Sequence, residues 1–174
     1  LNTDLKGVIE FTVIYNRYKT RVYNYVLKMT SDVMTAEDIV QNVFLKFYEN
    51  MDSLTTPESL KYWIYTTARN EVFGYFRGRK TKKDQFDVED TEDVETPCES
   101  DIESLYELKE FKELLERELD TIDYEQKEIF LLREYGGLSY REIGAVLEID
   151  EPLVKSRLFS IRKKLIKKLS NIIK

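Results

Sequence analysis

The chain has 174 residues, a net charge of −6, and 42% apolar and 13% aromatic residues, enough to bury real cores in one domain or two small ones. A single cysteine, Cys98, and no histidine exclude an intrachain disulfide framework, a Cys/His zinc site and the usual histidine-based triads. No apolar run reaches the length of a membrane span and no signal-peptide pattern opens the chain, so the expectation is a soluble cytoplasmic protein that is not an enzyme and needs no cofactor or metal.

The first predicted helix carries Val8, Phe11, Ile14 or Tyr15, Tyr18, Val22, Tyr25 or Val26 and Met29 on one stripe. Thr35-Ala-Glu-Asp38 reads as the cap of a second helix, with Ile39, Val40, Val43, Phe44 and Phe47 apolar. A polar loop, Asn50 to Thr56, follows; such loops carry function on a rigid scaffold. Thr56 caps a third helix with Pro57 at its first position and Leu60, Trp63, Ile64, Thr67, Ala68 and Val72 inward. Trp63 could serve as a stacking platform, but its place on the apolar stripe favours burial.

From Asp84 to Glu103 the chain has ten acids, no Lys or Arg, and Pro97; this reads as a mobile acidic linker, helical only after the capping box Ser100-Asp-Ile-Glu103. Taking these ten acids out of the net −6 leaves +4, so the global charge hides two basic stretches. Residues 61–83 hold seven Lys and Arg against Glu71 alone, and residues 151–174 hold eight against Glu151 alone.

Beyond the linker, Ile102, Leu105, Leu108, Phe111, Leu115 and Leu119 line one helix. The capping box Asp123-Tyr-Glu-Gln126 opens another with Ile129, Phe130 and Leu132, ended by Gly136 and Gly137. No strand-type alternation is long enough to count, so the fold class is all-α: two small helical domains, 1–83 and 104–174, joined by the linker 84–103.

The segment from Leu138 to Leu165 has the layout of a helix-turn-helix. Ser139-Tyr-Arg-Glu142 is a capping box, and Ile143, Val146 and Leu147 give a short helix one apolar face. Gly144 marks a close approach, and Asp150 can cap the second helix with Glu151 and Pro152 in its first turn. Val154, Leu158, Ile161, Leu165 and Leu169 form the buried stripe of that helix, leaving Lys155, Ser156, Arg157, Phe159 and Ser160 wholly or partly exposed to meet DNA. The turn ordinarily takes a Gly at positive φ, and Glu148 there costs about 1 kcal/mol.

Thr35 to Phe47, Tyr62-Trp-Ile-Tyr-Thr-Thr-Ala-Arg-Asn70, the acidic linker and Tyr140-Arg-Glu-Ile with Val154-Lys-Ser-Arg-Leu resemble, in this order, bacterial RNA polymerase sigma factors of the sigma-70 family, in the extracytoplasmic-function (ECF) subgroup. The resemblance implies a sigma factor that directs core polymerase to promoters through −35 and −10 recognition and opens the start site. It also implies that Glu37, Asp38, Gln41, Asn42, Phe44 and Leu45 dock on the clamp of the polymerase's large subunit. Spacing alone would make Phe44 core and the acids a solvated first turn.

By the same resemblance, Asn50, Asp52, Ser53, Arg69, Asn70, Arg77, Arg79 and Lys80 meet the −10 element, with Lys82 and Lys83 as further phosphate contacts. Thr66 replaces a residue often basic in the family. Ser139, Tyr140, Arg141, Lys155, Ser156, Arg157, Phe159, Ser160 and Arg162 meet the −35 element, with Ser160 where the family often has Arg. The linker would run toward the RNA exit path, and an anti-sigma protein is the implied regulator. The alternative is a helix-turn-helix regulator that does not dock as a sigma subunit; it would be expected to carry a sensory or receiver domain, and the N-terminal residues show no βαβ pattern. A helical adaptor with incidental basic ends is the third reading.

Overall fold

The computed structural model describes residues 2–82 and 102–172, with side chains over 5–79 and 109–170. The acidic linker through residue 101, with Ser100 of its capping box, therefore lies outside the described residues, as do the side chains of Lys80, Lys82, Ile102, Leu105 and Leu108. Among the described residues there are seven α-helices and no strand: α1 (Asn2–Thr30), α2 (Val33–Asn50), α3 (Pro57–Lys82), α4 (Ile102–Asp120), α5 (Tyr124–Glu134), α6 (Tyr140–Leu147) and α7 (Glu151–Ile172).

Helices α1, α2 and α3 pack on one another around Val22, Val26, Val43, Phe47, Ile64 and Ala68. All five apolar residues expected of α2 are buried. Its cap is Asp32 rather than Thr35: the Asp32 carboxylate accepts from the Met34 and Thr35 N–H groups, and the Thr35 hydroxyl, already inside the helix, donates to it at 2.6 Å. These bonds, the Thr35 hydroxyl foremost, hold the Asp32 carboxyl below the usual range. Thr56 caps α3 as expected, its hydroxyl accepting from the Ser59 N–H at 3.1 Å. Between α2 and α3, Met51–Ser53 form a 3-10 turn, so the polar loop is more ordered than its composition implies. At the start of α1 the stripe outruns its partners, and Val8 is exposed.

Helices α5, α6 and α7 enclose Ile129, Leu131, Leu132, Leu138, Ile143, Val146, Leu158 and Ile161, and α4 lies along α7. The whole expected stripe of α7 is buried. Phe111 of α4 is exposed, and Asp123 makes no side-chain cap, so that capping box is not formed. The Ser139 box is formed on both sides: Glu142 N–H to the Ser139 hydroxyl at 3.2 Å, and Ser139 N–H to the Glu142 carboxylate at 2.7 Å.

The turn of the helix-turn-helix is set by two residues. Glu148 takes φ 57 and ψ 42, the left-handed region. The Gly144 carbonyl accepts from the Glu148 and Ile149 N–H groups. A Cβ on Gly144 would lie 2.6 Å from the Ile149 carbonyl, so the close approach is to the turn's own backbone. Glu148→Gly removes the left-handed strain at an exposed site, and chemical denaturation is expected to show a gain of about 0.5–1 kcal/mol with an unchanged m-value. No gain would mean that the turn holds Glu148 without strain.

Candidate nucleic-acid interface

The second helix of the reader, α7, presents Lys155, Ser156, Phe159, Ser160 and Arg162 outward, with Phe159 at 71% exposure. A phenylalanine so exposed on a cationic face is a ready apolar contact for a sugar or a thymine methyl. The cations are held in place by carboxylates and rings of the same half. Lys155 pairs with Glu151 at 2.8 Å and lies over the Tyr140 ring; Arg157, half-buried, pairs with Glu125 at 3.3 Å; Arg162 pairs with Glu134 at 2.5 Å. Arg133 lies over the Tyr140 ring at 4.8 Å and donates to the Leu138 carbonyl. Tyr140 is thus the ring about which the entry to α6 is organised, beside exposed Ser139 and Arg141. Sequence reasoning had no signal for Arg133, which precedes the motif.

On α2, Glu37, Asp38, Gln41 and Asn42 are exposed and Leu45 is 59% exposed. Phe44 is 2% exposed, its ring edge-on to Tyr15 at 4.9 Å. It is core, as spacing alone indicates, yet it also floors an apolar groove lined by Phe11, Tyr15, Val40, Gln41, Leu45 and Tyr48. A docking partner would meet Leu45 and Gln41 directly and Phe44 only from above.

The expected −10 residues divide. Asn50 at the end of α2 and Asp52 and Ser53 on the 3-10 turn are exposed, with the Asn50 side chain donating to the Lys46 carbonyl and the Asn50 carbonyl accepting from the Ser53 hydroxyl. Asn70 and Arg77 are exposed on α3, and Arg79 is partly covered and bonded to the Tyr75 hydroxyl at 2.9 Å. Lys80 lies outside the described side chains. Arg69 is not free: its Nε donates to Glu128 of α5 at 2.9 Å and its guanidinium lies over Phe73. Trp63 packs on the core at 6.1 Å from Phe47, which agrees with burial rather than stacking. Thr66 turns its hydroxyl inward, where it meets no hydrogen-bond partner among the described residues.

Glu128 was missed in the sequence, although an acid between Tyr124 and Leu132 on an apolar helical stripe is a signal in itself. It is 2% exposed and accepts from both Arg69 and the Tyr25 hydroxyl, the latter at 3.2 Å. Burial pushes its carboxyl above the usual glutamate range, with Arg69 and Tyr25 pulling it only part of the way back. Nearby, Lys61 donates to Glu142 at 2.8 Å and to the Gly137 carbonyl. Partial burial tends to raise the Glu142 carboxyl, but the bonds from Lys61 and Ser139 outweigh it and hold the group low.

Similarity to known proteins fits this arrangement. Residues 14–82 match the model of sigma-70 region 2, and residues 112–165 match sigma-70 region 4. The chain is 30% identical over 152 residues to the ECF RNA polymerase sigma factor SigM of Bacillus subtilis (strain 168), covering 87% of this chain and 90% of that protein. The chain belongs to the ECF sigma factors. It is also 27% identical over 172 residues to the ECF RNA polymerase sigma-E factor of Escherichia coli (strain K12), covering 94% of this chain and 88% of that one. The sigma factor RpoE of Bartonella quintana, solved in complex with the anti-sigma factor NepR, shares the fold with a TM-score of 0.75 at 22% identity, over 92% of this chain and 97% of that one. As a sigma factor, the protein directs RNA polymerase to promoters and recognises them through DNA contacts. No helix among the described residues is long and apolar enough to cross a membrane.

The raised Glu128 carboxyl gives this sigma factor a pH signature. The packed state binds that proton more tightly than a state with Glu128 in water, so its contribution to packing is favourable at low pH and is lost as pH rises through the raised value. Glu128→Gln removes the titration. Thermal unfolding is therefore expected to show wild type and Glu128→Gln converging as pH is lowered from neutrality toward the ordinary glutamate range, and a constant gap would count against the raised carboxyl.

Proposed function

We propose that residues 1–83 form the unit that binds core polymerase and the −10 element, that 104–174 form the unit that binds the −35 element, and that 84–103 link them. The observation that carries the reading is the outward face of α7, where Lys155, Ser156, Phe159 and Ser160 stand clear of a fully buried stripe behind a formed capping box and a left-handed turn. Such a face can enter a major groove, with Lys155 and Arg157 reaching guanine edges or phosphates and Arg157 exchanging Glu125 for DNA. Ser139, Tyr140, Arg141 and Arg162 flank it as backbone contacts.

On α2, exposed Asp38 and Gln41 beside Leu45 suit a partner presenting Arg and an apolar side chain, which is the chemistry expected at the clamp of the large polymerase subunit. The 3-10 turn with Asn50, Asp52 and Ser53 offers donors and acceptors to an unstacked base, and Arg69, Asn70, Arg77, Arg79 and Lys80 of α3 track the strand. The protein acts in the cytoplasm by binding alone, with no catalytic group of its own. A regulatory anti-sigma protein is a further expected partner, supported by the Bartonella quintana sigma factor of the same fold solved with one.

Two sets of variants test the division. Lys155→Ala and Arg157→Ala are each expected to weaken binding to promoter duplex by about tenfold, within the roughly 1–3 kcal/mol of a good base contact, while affinity for core polymerase is unchanged. Asp38→Ala with Gln41→Ala is expected to do the reverse, read by pull-down with core polymerase and by circular dichroism for an intact fold. Loss of both activities in either set would reject the separation of roles.

A further inference from the structure

The first turns of α1 carry apolar side chains on the side turned away from the fold as well as on the side that meets α2. Phe11 stacks inward on Phe47, whereas Leu5, Val8, Ile9 and Val13 stand between 50% and 62% exposed. Leu5, Ile9 and Val13 follow one another at spacings of four and form a row, with Val8 and Thr12 along one edge. The Thr12 hydroxyl donates to the Val8 carbonyl at 2.7 Å, so its polar atom is satisfied within the helix. Lys6 and Glu10 run along the opposite edge, paired at 3.7 Å and both exposed. The patch has a sharp limit: Asn16, Arg17 and Thr20 continue the same side of α1 as exposed polar residues. A helix that is apolar nearly all round belongs under cover, and α1 has that character only over these turns.

We propose that this row is a self-association surface, covered by the same row of a second copy of the chain packed antiparallel about a two-fold axis at Ile9. The row is symmetric about that residue: Ile9 meets Ile9, and Leu5 meets Val13 of the second chain. Such an axis also brings like edges together, which sets each Lys6 beside Glu10 of the other chain, less than one helical turn away along the axis. The row is thus its own complement in both shape and charge. Exposed pairs exchange at little cost, so the Lys6–Glu10 bond within one chain does not oppose the same bond made between chains. A cation beside an anion on that edge does not suit DNA or an anionic lipid surface, each of which calls for clustered Lys and Arg.

The row with its ionic edge falls well short of the roughly 800 Å² per partner of a stable complex, so the dimer belongs to the weak, concentration-dependent class. Its dissociation constant is expected on the order of 100 μM. None of the promoter-reading residues of α3 and α7 belongs to the row, nor do Asp38 and Gln41 of α2, so loss of the dimer would leave the division of roles given above intact. Sedimentation velocity of the full chain, raised from low micromolar to submillimolar concentration, is expected to pass from monomer to dimer. Ile9→Glu sets two carboxylates on the axis and is expected to weaken the dimer by about tenfold or more, whereas Thr20→Glu, the same added charge beyond the patch, leaves it unchanged. Lys6→Glu is expected to weaken it as well, and Lys6→Glu with Glu10→Lys to restore it. All these positions are exposed, and circular dichroism checks that each variant keeps its helices.

Disulfide trapping in a Cys98→Ser background reads the symmetry. Ile9→Cys chains are expected to link to themselves on mild oxidation; Leu5→Cys and Val13→Cys chains are expected to link to each other when mixed, and neither to itself. A chain that stays monomeric throughout, association that survives Ile9→Glu, or Leu5→Cys chains that link to themselves would overturn the proposal. So would loss of core-polymerase affinity in Ile9→Glu with no self-association of the wild type, which assigns the row to polymerase instead.

Discussion

The placement of the two halves depends on one buried carboxylate, Glu128, which has a tyrosine hydroxyl on one side and a guanidinium on the other. A charge taken out of water is costly unless it is paired and hydrogen-bonded, and breaking such a pair by removing one partner costs more than the pair contributes. Three helices from both halves must therefore meet at a single point: α5 brings Glu128, α1 brings Tyr25 and α3 brings Arg69. Around that point Lys28 pairs with Glu116, Lys61 with Glu142 and the Tyr65 hydroxyl with the Gly136 carbonyl, and the Phe73 and Phe76 rings lie against Tyr124. Burial still pushes the Glu128 carboxyl up despite its two partners, so the charged form is incompletely compensated. An interface of this kind specifies an arrangement more than it stabilises one.

The basic faces of α7 and α3 are built differently, and the difference follows from how their cations are held. On α7 the Lys and Arg side chains are paired with acids of their own half, such as Arg162 with Glu134, at exposed sites where such pairs contribute little and exchange readily. A phosphate can replace those acids without moving a helix. On α3 the acids that occupy Lys61 and Arg69 belong to the other half, and Glu128 is buried. Releasing those cations requires the halves to part. The same charge chemistry thus leaves the α7 cations accessible at one end of the chain and encloses Lys61 and Arg69 of α3 at the other.

Local structure was legible in the sequence wherever the signal was local. The α7 stripe and the α2 core follow from spacing, and the Ser139 and Thr56 caps follow from residue type at the first helical turn. The strain at Glu148 was legible because a turn of that geometry constrains φ. Where two caps compete, spacing misleads: Thr35-Ala-Glu-Asp38 has the form of a box, but Asp32, three residues earlier, offers a carboxylate that accepts two N–H groups. Asp123 has the form without the bond. The interface of α3 was not legible, since Arg69 reads as a free phosphate contact and Lys61 only as one of a basic stretch until Glu128 and Glu142, many residues away, are brought to them by the fold. Phe44 shows the reverse case, a residue that spacing places in the core and resemblance places at a docking site, and which lines the floor of a groove between the two.

A distance between the halves tests the central claim most directly. With donor and acceptor dyes on cysteines introduced at the exposed positions Glu49 of α2 and Lys163 of α7, in a Cys98→Ser background, energy transfer reports the separation in solution. The closed arrangement predicts a single short separation for the free chain that lengthens when core polymerase and promoter DNA bind. A free chain with a broad or long distribution, or a separation unchanged in the transcription complex, would contradict it.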